Sequence, residues 1–166
     1  MCGQAEEAEA RRLVSTYSNQ LLRLAYSLLN SVPDAQDVCQ EVLLKRLGHS
    51  GTFENAAHEK AWLVRVTVNL CKNIRRSLWH RCTVGLDEVA EQAAFQPEEG
   101  SILEEVQQLP TPYREVLVLY YYMGYDTNEI AALLSIRADA VRARLARARK
   151  KLKQGLEGQG NDELSE

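Results

Sequence analysis

Basic side chains are concentrated near the C-terminal end of the sequence, in a pattern suited to binding nucleic acid. Residues 137–153 contain eight Lys or Arg and a single acid, Asp139, although the whole chain has a net charge of −3. Helical spacing places four apolar residues in one stripe that would face a core: Val141, Leu145, Ala148 and Leu152. The cations lie on both sides of this stripe: Arg142, Arg149 and Lys153 on one, and Arg144, Arg147 and Lys151 on the other.

The outermost surface of this predicted helix carries small residues, among them Ala143 and Ala146. Small side chains would let the helix backbone approach a DNA groove while the long cations beside them reach phosphates. The alternative is a solvated helix face, the usual role of a charge run. A helix with that role is expected to mix Glu with its Arg, so the pattern favours nucleic acid.

The residues before the basic helix complete the outline of a helix-turn-helix. Asp126 and Glu129 form a pattern typical of a capping box, which would start a short helix. A short turn then separates that helix from the basic one. In a helix-turn-helix the second helix lies in the major groove.

A second basic face is predicted about sixty residues earlier. Residues 60–82 hold six Lys or Arg and no acid. A long helix from about Ala57 to Leu78 would present five polar residues on one face: Arg65, Asn69, Lys72 and Arg76, with Arg75 beside them. Its predicted inward residues are Trp62, Val66, Leu70 and Ile74. Trp62 would stack on an unpaired base or lie in the core, and the pattern favours the core.

The elements that would position these faces are also helical. A first helix has the stripe Leu13, Tyr17, Leu21, Leu24, Ala25 and Leu28. A second helix starts near Ser31–Asp34 and turns inward Ala35, Val38, Cys39 and Val42, with Arg46 at the edge. Its other face carries Asp37, Gln40, Glu41 and Leu44, which either meet solvent or dock a basic partner. From the residues alone, solvent is the better interpretation.

Turn signals divide the rest of the chain. Residues 48–55 read as a loop, and the acidic block 83–108 contains a linker. Thr111, as an N-cap before Pro112, would open a helix that runs to about Met123 and ends at Gly124. We therefore predict an all-α fold of two small helical domains joined by an acidic linker, the second one a helix-turn-helix.

Composition excludes several functional classes. No apolar run approaches the roughly 20 residues of a membrane span. The N-terminus lacks the order of a signal peptide, so we expect a cytoplasmic protein. Cys71, His80 and Cys82 match no common zinc spacing, so neither a metal nor a cofactor is expected. No cluster of His, Cys, Ser or carboxylates has a mechanistic spacing, which argues against an enzyme.

Three segments together resemble a sigma factor of bacterial RNA polymerase, of the small extracytoplasmic-function (ECF) group. DAQDVCQEVLL (34–44) resembles that family's clamp-binding signature, and AWLVRVTVNLCKNIRRS (61–77) resembles its −10 helix. Residues 109–153 resemble the domain that reads the −35 element. The segments follow the family's order and spacing.

The resemblance implies domains and roles that spacing alone does not supply. It implies region 2 over 10–80, a linker over 81–102 and region 4 over 103–155. The acidic, Gly-containing composition of 156–166 separately predicts a disordered tail. The implied −35 contacts are Arg137, Ala140, Arg142, Ala143, Arg144 and Arg147. The implied −10 contacts are Trp62, Arg65, Asn69, Lys72, Asn73, Arg75 and Arg76. The residues implied to dock on the polymerase β′ clamp helices are Asp37, Gln40, Glu41 and Leu44.

The resemblance also implies roles for two further segments and a regulator. The loop 49–58 would capture a flipped-out base, and the helix from Thr111 to Met123 would lie near the polymerase β flap. An anti-sigma factor is the expected regulator.

The chain departs from the family pattern at the turn before the basic helix. Arg137 stands where a capping Ser is common, and Ala140 and Ala143 replace a Thr and a Ser. Loss of the cap removes about 1 kcal/mol of stabilisation, and loss of the hydroxyls removes hydrogen bonds to phosphates. The −35 sequence that the helix reads is therefore expected to differ. Leu47 also replaces a frequent aromatic residue.

The alternative function is a stand-alone helix-turn-helix regulator that binds duplex operators as a dimer. It would explain residues 111–153 but give no task to the basic face within 60–82 or to the acidic helix. A helical adaptor that never contacts nucleic acid is a third possibility, and it gives no task to either basic face.

Overall fold

The computed structural model describes residues 2–82 and 102–163, and the side chains of 3–77 and 105–157. Regular structure in these residues is helical throughout. The helices are α1 (Cys2–Leu29), α2 (Val32–Leu47), α3 (Ala56–Cys82), α4 (Ile102–Gln108), α5 (Thr111–Leu117), α6 (Thr127–Leu134) and α7 (Ala138–Glu163). The chain divides into two units, 1–93 and 94–166. The predicted all-α fold is confirmed, while most of the predicted linker lies outside the described residues.

The first unit contains α1, α2 and α3 packed on one another. The predicted stripes of the first two helices are buried, and Arg46 lies at their edge. Ser31 caps α2, because its hydroxyl accepts from the Asp34 amide at 3.4 Å and Pro33 lies in the first turn. Residues 48–55 form the predicted connection to α3.

The predicted inward face of α3 is wrong by about one residue position. Trp62, Val66, Leu70 and Ile74 are half-buried, while the buried residues are Leu63, Val64, Thr67, Val68 and Cys71. Both sets belong to one broad apolar arc, because α3 packs against α1 and α2 at once. Periodicity finds such an arc but does not locate its centre, which depends on how the neighbouring helices pack.

The second unit contains α4 to α7, and α6 with α7 forms the predicted helix-turn-helix. The capping box is present: Asp126 accepts from the Glu129 amide at 2.8 Å, and Glu129 accepts from the Asp126 amide at 2.9 Å. Ser135 ends α6 in the left-handed region, at φ 57°. Gly124, at φ 79°, follows the preceding helix where glycine is the residue best suited to that conformation.

The start of α5 differs from the prediction by one residue. The N-cap is Pro110, whose carbonyl accepts from the amides of Tyr113 and Arg114 at 3.0 and 3.1 Å. Thr111 therefore lies inside the first turn, and its hydroxyl accepts from Arg114 at 3.3 Å. After Leu117 the helix widens into a π-helical turn, Val118–Tyr122, that sequence periodicity did not predict.

The last helix is longer than predicted. We expected a disordered tail from residue 156, but α7 continues to Glu163. Leu156 on this extension, together with Leu152 one turn before it, lines an apolar groove beside Val106 of α4. Gly155 faces α4, and a Cβ at this position would lie 2.5 Å from the Glu105 carboxylate at the end of its side chain. Packing of this kind stabilises helix that local sequence does not favour.

Candidate nucleic-acid interface

The N-terminal half of α7 presents the predicted cationic surface. Arg137, Arg142, Ala143 and Arg147 are exposed, and Ala140 and Arg144 are half-buried. Arg142 pairs with exposed Asp139 one turn away, a contact that a phosphate would compete for. The buried side of α7 consists of Val141, Leu145 and Ala148, as predicted, and Leu152 is half-buried. The helix is therefore anchored by one side while its cations face outward.

Arg137 occupies the N-cap of α7, since its carbonyl accepts from the Val141 amide at 3.1 Å. An arginine side chain has no oxygen with which to cap the free amides of the first turn. Those amides and the positive end of the helix dipole therefore add to the cationic surface.

Farther along α7, two cations cover tyrosines. Arg149 Nε donates to the Tyr121 hydroxyl at 2.7 Å, and its guanidinium lies 5.6 Å from the Tyr120 ring centre. Lys151 lies 5.8 Å from the Tyr113 ring centre. One cation from each predicted flank thus contacts a tyrosine in this part of α7, because folding brings α5 and the π-helical turn against it.

On the first unit, α3 presents the second predicted basic face. Arg65, Asn69, Asn73 and Arg76 are exposed, and Lys72 and Arg75 are half-buried. These residues share a face along about three turns of helix, opposite the buried stripe. The spacing suits successive contacts along one DNA strand.

Four aromatic side chains lie where the loop after α2 meets α3. His49 stacks on Phe53 with 5.3 Å between ring centres and lies 4.9 Å from Trp62. Phe53 meets Trp62 and His58 edge-on, at 5.9 and 5.2 Å. Trp62 is therefore neither a core residue, as favoured from the sequence, nor a free stacking platform. It is half-buried, and its ring is held by the loop.

A carboxylate beneath this aromatic cluster connects all three helices of the unit. Glu59 is 6% exposed and accepts from Arg12 at 3.0 and 3.1 Å and from the Tyr17 hydroxyl at 2.8 Å. Arg46 donates to it at 2.8 Å through Nε. Burial acts to raise the pKa of Glu59, but these hydrogen bonds lower it further, to about 2. Glu9 joins the set through Arg12 and Arg46.

The predicted docking face of α2 is exposed as a whole. Its members Asp37, Gln40, Glu41 and Leu44 all face outward. Leu44 is 59% exposed, a large apolar side chain among acids, and neighbouring Leu47 is 38% exposed. An exposed apolar side chain beside acidic ones is typical of a protein-binding surface rather than a solvated one.

The second unit contains a groove that sequence periodicity did not predict. It has a volume of about 570 Å³ between α4, the π-helical turn and the end of α7. Its lining is mainly apolar and includes Val118, Tyr121, Tyr122 and Leu156. Tyr121 is 61% exposed. The features that the sequence did not predict depend on tertiary contacts. Glu59 alone gave a signal in the sequence, because it lies at four-residue spacing from Leu63 and Thr67 and so on the buried side of α3.

Within residues 2–82 and 102–163 no helix combines the length and apolar character that crossing a bilayer requires. In that part of the chain no group of three or more His, Cys, Asp or Glu is placed to hold a metal ion. Cys39 and Cys71 are buried.

These features define a helix-turn-helix protein with a second helical unit that also presents a basic face. Residues 13–81 match the family model for Sigma-70 region 2, and residues 99–152 match that for Sigma-70, region 4. The ECF RNA polymerase sigma factor SigL of Mycobacterium tuberculosis is 32% identical over 165 residues, covering 94% of this chain and 93% of SigL. The RNA polymerase sigma-H factor of Pseudomonas aeruginosa is 28% identical, covering 87% and 84%.

A third relative is much longer than this chain. The probable RNA polymerase sigma factor RfaY of Xanthomonas campestris is 32% identical over 151 residues, but the chain spans only 38% of its length. Among solved structures, the sigma factor RpoE bound to the anti-sigma factor NepR, from Bartonella quintana, has a TM-score of 0.70 at 23% identity and covers 89% of this chain and 96% of RpoE. CnrH bound to the cytosolic domain of CnrY has a TM-score of 0.63 at 25% identity, with 90% and 88% covered.

The chain belongs to the ECF sigma factors of bacterial RNA polymerase, and its function is that of a sigma factor in transcription initiation. The family matches cover both units. The alternative of a stand-alone regulator explained only the second of them.

Proposed function

We propose that this sigma factor holds a promoter at two places while α2 docks on RNA polymerase. The observation that supports this division best is the distribution of charge over the exposed helix faces. The faces of α3 and α7 are basic, whereas the exposed face of α2 is acidic with Leu44 among the acids. The negatively charged DNA backbone is attracted to the basic faces of α3 and α7 and repelled by the acidic face of α2.

The −35 element would lie against the N-terminal half of α7. Arg142, Arg144 and Arg147 would reach phosphates or guanine edges, and Ala140 and Ala143 would let the helix lie deep in the major groove. Arg137 would bind a phosphate at the helix N-terminus. Because the alanines offer no hydroxyl, base reading would depend on arginines and on contact with thymine methyl groups.

The −10 element would lie against α3 and the loop before it. Exposed Arg65, Asn69, Asn73 and Arg76, with Lys72 and Arg75, would follow the strand. Trp62 would contact the DNA where the strands separate. The aromatic rings of His49, Phe53 and Trp62 would receive an unpaired base, and stacking of about 1–3 kcal/mol offsets the cost of unstacking it.

The polymerase would be bound by both units. The acidic face Asp37, Gln40, Glu41 and Leu44 would dock on the β′ clamp helices, with Leu44 buried at the centre of the contact. The apolar groove beside Tyr121 and Tyr122 would receive an apolar segment of the β flap, since the flap is the expected neighbour of this part of the chain. No step in this scheme is catalytic, because the sigma factor contributes binding energy and the polymerase makes the RNA.

An anti-sigma factor would regulate the protein by covering these faces in the cytoplasm, where the polymerase works. The similar sigma factor RpoE was solved with the anti-sigma factor NepR bound, and the similar protein CnrH was solved with the cytosolic domain of CnrY bound. The exposed Leu44 and the apolar groove are the surfaces that such a partner would cover.

In vitro transcription with sigma-free core polymerase on a promoter library tests the proposal. We expect defined start sites with shared −35 and −10 sequences, and a −35 consensus unlike that of relatives with the hydroxyl residues. Reversing two α7 charges, as Arg144→Glu with Arg147→Glu, should abolish −35 dependence. Lys150→Glu on the same helix, outside the proposed contacts, is the matched control. Transcription no more selective than core polymerase alone would refute the proposal.

A further inference from the structure

Arg46 lies between a buried carboxylate and an aromatic ring of the loop that follows α2. Its Nε and Nη2 both reach Glu59 Oε2, at 2.8 and 2.7 Å. Its guanidinium carbon lies 4.7 Å from the centre of the Phe53 ring. The Arg46 side chain is 14% exposed, so solvent weakens these interactions little. One side chain thus joins the packed helices to the loop.

Phe53 is the ring through which this contact reaches the rest of the loop. It touches His49, His58 and Trp62, with ring centres 5.2 to 5.9 Å apart. The loop backbone is held separately, because Asn55 accepts from the His58 amide at 2.8 Å and His58 accepts from the Glu54 amide at 3.2 Å. The position of the Phe53 ring itself depends on its neighbours, and Arg46 is the one that also donates to the buried Glu59 carboxylate among the described residues.

Only arginine meets both demands at this position. A guanidinium is flat, so its edge can donate to a carboxylate while its face packs on a ring. A lysine ammonium keeps the charge and an ion pair but has no flat face. Glu59 holds the Arg46 side chain firmly, because Arg12 and Tyr17 fix the same carboxylate from α1.

We propose that Arg46 is a positioning residue for promoter opening, held by Glu59 so that it keeps Phe53, and through it His49 and Trp62, arranged to receive an unpaired base. The inference rests on the proposed role of the loop in capturing a −10 base. It assigns the arrangement of the aromatic rings before the base binds to Arg46, which is not one of the residues proposed to contact DNA. Preorganisation of the rings lowers the cost of ordering them when the base binds.

Holoenzyme binding to single-stranded DNA tests the proposal. The probe is the non-template −10 strand of a promoter selected by the wild-type holoenzyme, together with the same strand carrying one abasic site at each −10 position in turn. For the wild type we expect an abasic site at the captured position to weaken binding about tenfold. Arg46→Lys should weaken binding of the intact strand about fivefold and leave binding of that abasic strand unchanged.

Two further variants separate positioning from a general loss of structure. Phe53→Leu removes the same contact, and the ring itself, without touching the Glu59 ion pairs. It should therefore weaken binding of the intact strand at least as much as Arg46→Lys does, and the double variant should be no worse than Phe53→Leu. Arg12→Lys weakens the same carboxylate pairing from α1 and should keep the tenfold abasic penalty, because the contacts of Arg12 are with Glu9 and Glu59.

Equal losses on every strand, abasic ones included, would overturn the positioning role, as would equal effects of Arg46→Lys and Arg12→Lys. A wild type that shows no position-dependent abasic penalty would instead refute base capture by the loop, and the inference with it. If the wild type and the Arg46→Lys variant both show the full abasic penalty at the captured position, base capture by the loop stands and only the positioning role of Arg46 is overturned.

Discussion

Replacing Glu59 with Gln should destabilise the first unit strongly at neutral pH and little in acid. The substitution keeps the shape of the side chain but removes the negative charge of the carboxylate, which accepts hydrogen bonds from Arg12, Tyr17 and Arg46. Of the ionic partners that Arg46 has among the described residues, Glu9 would remain, at 3.4 Å, and the Arg46 side chain is 14% exposed. Leaving a buried charge without its partner is among the costly kinds of substitution.

The pKa of Glu59 gives the magnitude and the pH window. The value falls from 4.5 to about 2 on folding, and a difference of this size corresponds to about 3 kcal/mol of unfolding free energy when the carboxylate is ionised. Arg12 is 44% exposed, so solvent screens its share and we expect a loss of about 2 kcal/mol. Because the folded-state pKa is the lower one, this stabilisation is complete above pH 4.5 and is lost as the pH falls toward 2.

Tryptophan fluorescence during urea unfolding measures this loss in the first unit alone, because both tryptophans, Trp62 and Trp79, lie within residues 1–93. Glu7→Gln is the matched control, since its ion pair with Arg11 is exposed and should contribute less than about 0.5 kcal/mol. A Glu59→Gln variant as stable as the control at pH 7 would refute the reasoning. So would a difference from wild type that stays constant between pH 7 and pH 3.

Three further predictions concern the proposed surfaces and the helix-turn-helix. Arg144→Gln with Arg147→Gln should reduce by about 2 the slope of log affinity against log salt for holoenzyme on duplex −35 DNA, and an unchanged slope would remove both residues from the phosphate contacts. Leu44→Asp should weaken binding to core polymerase about tenfold, measured by competition against the wild type. Leu44→Met should bind normally, and equal binding by the Asp variant would exclude α2 as the dock. Asp126→Ala should remove the capping box and speed amide hydrogen exchange in α6 about fivefold, whereas unchanged exchange would show that the cap contributes nothing.

The helices and their charged faces could be predicted from sequence because both follow from local periodicity. The stripe that begins at Val141 and the cations beside it repeat with the period of one helix, so no other part of the chain is needed to place them. The same holds for the acidic face around Glu41. The caps Ser31 and Asp126 were found from a few neighbouring residues.

Predictions failed where a second element decided the outcome. The buried face of α3 centres on Leu63 and Val64 rather than on Trp62, because α1 and α2 both contact it. Helix α7 continues past residue 155, where Gly155 and Leu156 lie beside α4. Neither result depends on the local sequence alone, since packing overrides weak helix propensity.

The sequence by itself determined an all-helical chain with two basic faces, one acidic face and the motifs of an ECF sigma factor. The tertiary structure alone decided what supports the loop before α3. Glu59 meets Arg46, Tyr17 and Arg12, which lie 13, 42 and 47 residues away along the chain. Helical periodicity carries no information about contacts between different helices, so this support for the aromatic cluster becomes visible only when three helices are packed together.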